Sequence, residues 1–123
     1  MILDSNIVIY YTDPTQTKLQ NYLNTHFDSL NVSAITHLEV LGYHKISFQD
    51  KIDFANFFKS IKLKRITKPI IEQAILLRQQ KKMSVGDAII AATALVNDEP
   101  LITNNEDDFK HIPNLIIISM DSI

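Results

Sequence analysis

The stretch SVGDAIIAATAL, residues 84–95, sets a carboxylate at the head of a segment that is otherwise apolar on nearly every helical face. Ser84 is a favoured N-cap residue and Asp87 follows three positions later, the spacing of a capping box. An acid in the first turn also complements the partial positive charge of a helix N-terminus. Taken alone, these features make Asp87 a helix-terminus residue. The rest of the chain supplies a second reading.

The chain has 123 residues, 46% of them hydrophobic, enough for one compact domain over residues 1–123 with its own core and too few for two. It has no Cys, which excludes disulfides and thiolate metal sites and suits a reducing cytoplasm. The opening MILDSNIVIYY lacks the basic segment of a secretory signal. The longest apolar run, Ala88 to Val96, is about half a membrane span and is broken by Thr93. The expectation is a soluble cytoplasmic protein with no membrane partner.

A net charge of −2 argues at first against a nucleic-acid partner. The distribution matters more than the sum. Lys59, Lys62, Lys64, Arg65 and Lys68 fall within ten residues, and Arg78, Lys81 and Lys82 follow. If four of the fourteen acids were held on metal, ten would face twelve Lys and Arg, leaving room for a locally basic surface. Solvated faces of two helices and an edge strand would account for the same residues.

Only Gly42 and Gly86 occur, so no glycine-rich phosphate loop exists. Short apolar or alternating runs predict strands at Ile2-Leu3, Asn31–Ala34, Lys62–Ile66, Leu101–Thr103 and Leu115–Ser119. Between them, helices are expected over Asn6–Tyr11, from Asp13-Pro14 with Pro in its first turn, over Ile35–Lys45 and over Phe48–Ser60 behind Ser47. Two more follow, one opened by Thr67 and Pro69 and running through Lys82, the other opened by Ser84. Strands alternating with helices predict a three-layer α/β/α fold, a short, mainly parallel central sheet with helices on both faces. Such sheets bind ligands at the carboxyl ends of their strands. Asp4 follows the first strand and Asn104-Asn105 follow the fourth.

Three acids lack local basic partners. No Lys or Arg lies in residues 1–8 around Asp4. Glu39 has Ile35, Thr36, Gly42 and Tyr43 at helical neighbour spacing, and Asp87 has Met83, Ser84, Ile90 and Ala91. A lone buried carboxylate is costly, and converging carboxylates repel one another. A divalent cation removes both penalties, and an oxygen-rich site without Cys suits Mg²⁺ or Mn²⁺. The histidines add little. His37 and Glu39 stand about 200° apart on a helix, no cysteine pair of a zinc deaminase exists, and His26, His44 and His111 read as surface or boundary residues.

The segments ILDSNIVIYY, VSAITHLEVLGY, SVGDAIIAATAL and LITNNEDDFKHIPNL together resemble the PIN-domain nucleases, and most closely the VapC-type toxins of bacterial toxin–antitoxin pairs, from Ile2 to about Leu115. The family's acids fall on Asp4, Glu39 and Asp87, and its closing Thr-x-Asp/Asn with Asp-Phe falls on Thr103, Asn105, Asp108 and Phe109. Asn105 stands where many members carry Asp, and Ser5 where many carry Thr. The resemblance implies a metal-dependent endoribonuclease acting on RNA, in some relatives transfer RNA, as a homodimer neutralised by a cognate antitoxin. It implies Asp4 and Asp87 as primary Mg²⁺ or Mn²⁺ ligands and Glu39 and Asp108 as ligands directly or through water. Ser5, Thr103 and Asn105 would orient waters or phosphate. Two rival readings compete with it. A phospho-acceptor receiver domain needs an Asp after the third strand and a Lys after the last, which Thr67 and Ser119–Ile123 do not offer. A catalytically silent PIN-like scaffold that only binds a partner has Asn105 as its one supporting feature.

Overall fold

The computed structural model describes residues 1–123. Its strands are β1 (Ile2–Leu3), β2 (Asn31–Ser33), β3 (Lys62–Lys64), β4 (Leu101–Thr103) and β5 (Ile117–Ser119). Its helices are α1 (Ser5–Tyr11), α2 (Thr17–Thr25), α3 (Ala34–Leu41), α4 (Phe48–Ser60), α5 (Lys68–Gln80) and α6 (Val85–Asn97), with single 3₁₀ turns at Phe27–Ser29, Glu106–Asp108 and Met120–Ser122. No helix is long and apolar enough to cross a membrane.

All strand pairs are parallel, in the order β3-β2-β1-β4-β5. The chain winds outward from β1 to β3, returns to the centre at β4 and winds the other way to β5. The seam between β1 and β4 is therefore the switch point, where parallel sheets open a crevice at their carboxyl ends. Leu3 pairs with Ile102 across that seam, so the residues that follow these strands meet there.

Side-chain alternation divides the core into two layers. Ile2 and Leu101 face one side and pack with Ile70, Ala74 and Leu77 of α5 and the buried run of α6. Leu3 and Ile102 face the other, with Val8, Leu23, Val40, Phe54 and Phe57 from α1 to α4. Ile117 and Ile118 of β5 divide in the same way. The apolar character of α6 is thereby explained: all eight residues counted as buried there, Gly86 and Ala88 through Ala94, lie in one nearly continuous run between sheet and α5. Ser84 caps its start, and Asp98 in the left-handed region (φ 53°) ends it, with the Asp98 and Glu99 N–H groups donating to Leu95 and Ala94 carbonyls. That is a Schellman ending.

Boundaries move where local hydrogen bonds compete with the periodic pattern. The helix expected from Asp13-Pro14 begins only at Thr17. The Asp13 carboxylate accepts the Thr15 N–H (2.9 Å) and hydroxyl (2.8 Å), and the Gln16 N–H donates to the Asp13 carbonyl at 3.0 Å. Pro14 sits inside that turn. Helix α3 stops at Leu41 rather than Lys45, with Gly42 as its C-cap. Strand β3 stops at Lys64 because its partner β2 has only three residues to pair, and β5 is shortened to three by β4 in the same way. The lysines of β3 flank an exposed sheet edge, a common guard against pairing between chains.

Phe109 is 0% exposed and anchors the segment that follows the Glu106–Asp108 turn. Phe109→Ala should cost about 3–5 kcal/mol of stability in urea unfolding. A loss below about 1 kcal/mol, outside that range for a buried aromatic, would show that this anchor is not part of the core.

Candidate functional site

Asp4 leaves β1 as the N-cap of α1 and is only 5% exposed. Its Oδ1 accepts the Ser5 N–H at 2.8 Å and its Oδ2 accepts the Thr103 hydroxyl at 2.8 Å. Thr103, fully buried at the end of β4, also accepts the Asn105 N–H at 2.9 Å. The β1–β4 seam thus holds a chain of hydrogen bonds from Asn105 through Thr103 to Asp4. The Asp4 carboxylate is fixed in direction although no cation neutralises it.

Glu39 comes from α3, on the next strand crossover. Ser5 Oγ lies 2.8 Å from Glu39 Oε1 and 3.2 Å from Thr36 Oγ1, so the Ser5 hydroxyl donates to the carboxylate with the threonine as its alternative acceptor. Ser5 therefore joins two acids, Asp4 through its N–H and Glu39 through its hydroxyl. The Glu39 carboxylate lies against the backbone of α6 at Gly86. His37, on the same helix, instead stacks near Phe58 at 4.7 Å, as the helical angle between the two residues requires.

Asp87 follows Gly86 on α6. The Ser84 hydroxyl accepts the Asp87 N–H at 3.1 Å, but the reciprocal bond of a full capping box, from the Ser84 N–H to the Asp87 side chain, is not formed. The capping bond is made by the Ser84 hydroxyl, and the Asp87 carboxylate is not tied to the Ser84 backbone. Asp108 stands in the 3₁₀ turn after β4, its N–H donating to the Asn105 carbonyl at 3.0 Å.

The acids feel one another's charges. Burial pushes Asp4 above the ordinary carboxylate range against its hydrogen bonds from Thr103 and Ser5, and the charges of Glu39 and Asp108 push it further. Asp87 is raised to about 6, first by burial, then by the charges of Asp4 and Asp108, with Glu39 adding a smaller push and a Ser84 hydroxyl bond opposing. The ion pairs of the chain are Met1–Glu99, Lys68–Glu72 and Lys110–Asp107, and none involves these four acids. Lys81 and Lys82 do share a cleft of about 430 Å³ with Asp87 and Asp108.

By chemistry this donor set fits a hard divalent cation: carboxylate and hydroxyl oxygens, uncompensated negative charge, and neither thiolate nor imidazole among them. No group of three or more His, Cys, Asp or Glu side chains is gathered at metal-holding distance. An ion would therefore have to draw the oxygens of Asp4, Asp87, Glu39 and Asp108 together.

Of the residues expected from sequence, Asp4, Ser5 and Thr103 are joined by hydrogen bonds at the seam, Glu39 is tied to Ser5, and Asp87 and Asp108 line one cleft. Asn105 takes part through its backbone, its side chain bonding to none of the acids. Sequence reasoning passed over Thr36 and Gly86. Thr36 had one signal, a polar residue one helical turn before Glu39. Gly86 had another, one of only two glycines in the chain and adjacent to Asp87. His111, read as a boundary residue, has both ring nitrogens enclosed without partners, and burial followed by the charge of Lys81 lowers its pKa.

Comparison with known proteins identifies the family of the chain. The family profile described as PIN domain matches residues 1–115. A ribonuclease VapC of Rickettsia bellii is 26% identical over 133 aligned positions, covering 98% of this chain and 96% of that protein. Among solved structures, a toxin–antitoxin complex from Klebsiella pneumoniae contains a chain 28% identical, with a TM-score of 0.78 and coverage of 96% of this chain and 95% of that one. VapBC2 from Rickettsia felis, bound to a fragment of its promoter DNA, is 23% identical with a TM-score of 0.85 over 98% of each chain, a likeness of fold.

The raised carboxylates carry a pH signature. A group whose folded pKa lies above its unfolded value of 3.8 binds its proton first in the folded state, so its stabilising contribution is complete below that value and is lost as pH rises through about 6. In chelator, Asp87→Asn should therefore melt at or above the wild type at pH 7, and the two should converge near pH 4. A variant that melts below the wild type by the same margin at both pH values would show that Asp87 serves the helix end and not the cluster.

Proposed function

The chain belongs to the PIN-domain family, and from that premise we propose that it is a metal-dependent endoribonuclease, the toxin of a type II toxin–antitoxin pair. The observation that carries this reading is the electrostatic coupling of Asp4 and Asp87 to Glu39 and Asp108 beside the switch point, with no Lys or Arg paired to any of the four. Asp4 and Asp87 are its primary Mg²⁺ or Mn²⁺ ligands, with Glu39 and Asp108 as ligands directly or through water. When bound, such an ion lowers the pKa of a water and offsets charge on the reacting phosphate. The chain's own groups do the remaining work. Thr103 and the Ser5 N–H hold the Asp4 carboxylate in one direction, the Ser5 hydroxyl holds Glu39, and the buried placement of Asp4 keeps solvent from screening it. Hydrolysis by water leaves a 5′-phosphate and a 3′-hydroxyl.

The substrate is RNA, transfer RNA being one candidate. Support comes from the cleft in which Lys81 and Lys82 border Asp87 and Asp108, since phosphates flanking the scissile bond need cationic partners beside the acidic centre. The same proposal places the protein in the cytoplasm, as a single nuclease domain over residues 1–123 and a homodimer. RNA cleavage should require Mg²⁺ or Mn²⁺, stop in excess chelator, and be lost in Asp4→Asn and in Asp87→Asn, because an amide cannot supply the charge that holds the cation. Undiminished cleavage by both variants in chelator would overturn the mechanism. Metal-induced stabilisation with no cleavage of any RNA tested would favour the silent scaffold.

The antitoxin belongs to the same reading. The relative from Klebsiella pneumoniae was solved as a toxin–antitoxin complex. Here a groove lined by Ile9, Val40, Tyr43, Ile46 and Phe54 runs up to Glu39. A partner segment seated there on apolar side chains would stand beside the carboxylates, where an Arg or Lys could pair with them and displace metal. Co-expression with an adjacent antitoxin gene should yield a stable complex without nuclease activity. A stable complex that cleaves RNA as fast as the free protein would count against this mode of neutralisation.

A further inference from the structure

We infer that Gly86 is a positioning residue for Glu39. The inference rests on the nuclease reading for its functional consequence and on geometry alone for the contact. A Cβ at position 86 would fall 3.0 Å from Glu39 Cδ and 3.2 Å from Oε1, and would overlap Oε2. The nearest atoms are thus the three carboxylate atoms of a single side chain. Gly86 is buried in the first turn of α6, where its φ is not in the left-handed region, so neither a turn nor backbone strain requires glycine there. What requires it is the close approach of a carboxylate to a helix backbone.

Glu39 needs such a seat. It projects from an exposed position on α3, and its side chain has one hydrogen bond, the 2.8 Å contact with the Ser5 hydroxyl. Ser5 has Thr36 as an alternative acceptor, so that bond alone leaves the carboxylate able to swing. Gly86 closes the opposite side. The bare Cα lets the carboxylate lie next to the backbone that carries Asp87, which brings acids from α3 and α6 within electrostatic reach. A methyl group at position 86 pushes the carboxylate away from Asp87 and strains its bond to Ser5. The obstructed group is the mobile end of a side chain, so the fold itself yields cheaply.

These two consequences separate a seat from a packing residue, because alanine in a helix is otherwise the better residue. The test is a double-mutant cycle of Gly86→Ala and Glu39→Ala, read in two ways. In chelator, without metal or substrate, Gly86→Ala should raise the melting temperature more in the Glu39→Ala background, where the seat is vacant, than in the wild type. In RNA cleavage with saturating Mn²⁺, Gly86→Ala should slow the wild type at least tenfold and change the residual rate of Glu39→Ala by less than twofold. Equal melting shifts in the two backgrounds overturn the contact. So does a Gly86→Ala protein that fails to fold, since the overlapped atoms are then not the flexible ones. Equal fold-losses of cleavage in the two backgrounds, or no loss in the wild type, overturn the positioning role. If the wild type cleaves no RNA, the nuclease reading fails and the positioning role falls with it, while the chelator melts still decide the contact.

Discussion

The parallel pairing of Leu3 with Ile102 governs everything at the candidate site. It aligns the end of a two-residue strand with the end of β4, so that Asp4 and Thr103 meet at the seam where the winding of the sheet reverses. Slipping this pairing by one residue would turn Leu3 and Ile102 toward the wrong helical layer and carry Asp4 to the other face. The two-layer core resists that slip, because Ile2 and Leu101 are committed to α5 and α6 while Leu3 and Ile102 are committed to the helices opposite. The placement of one carboxylate is thus secured by the packing of apolar side chains on both faces of the sheet.

Against this rigid seam the site stores repulsion. The charges of Glu39 and Asp108 raise the proton affinity of Asp4 and Asp87, and Asp4 adds to that of Asp87, while no lysine or arginine pairs with any of the four. Burial of α6 supplies the opposing force. Its run from Ala88 to Ala94 lies within the core and holds the first turn, with Asp87, at the crevice. The helix is apolar so that it can be driven there and acidic at one point because of what it meets.

Much of this was legible in the sequence, for reasons that differ by residue. The order of strands and helices followed from periodicity, and the acids stood out because each sits on an apolar segment without a basic neighbour. What periodicity could not reveal was set by hydrogen bonds and distances in three dimensions. Asp13 spends its carboxylate on Thr15, so the next helix starts late. Strands β3 and β5 are trimmed by the length of their partners. The link from Ser5 to both Asp4 and Glu39 joins positions far apart in the chain, and the seat at Gly86 depends on the approach of two helices that share no local pattern. Ser84 and Asp87 show the limit most clearly. The sequence spacing of a capping box is present, yet only the serine's half of it is made.

The order of strands has a consequence for the chain as it is synthesised. Strands β1 and β4 are neighbours in space, yet 99 positions of chain separate Asp4 from Thr103. A nascent chain therefore carries Asp4 with an empty flank until the residues of β4 have been added. Any product cut short before Leu101 lacks the strand that would complete the seam. Whatever chemistry the assembled crevice performs can begin only once β4 has been made and has paired with β1.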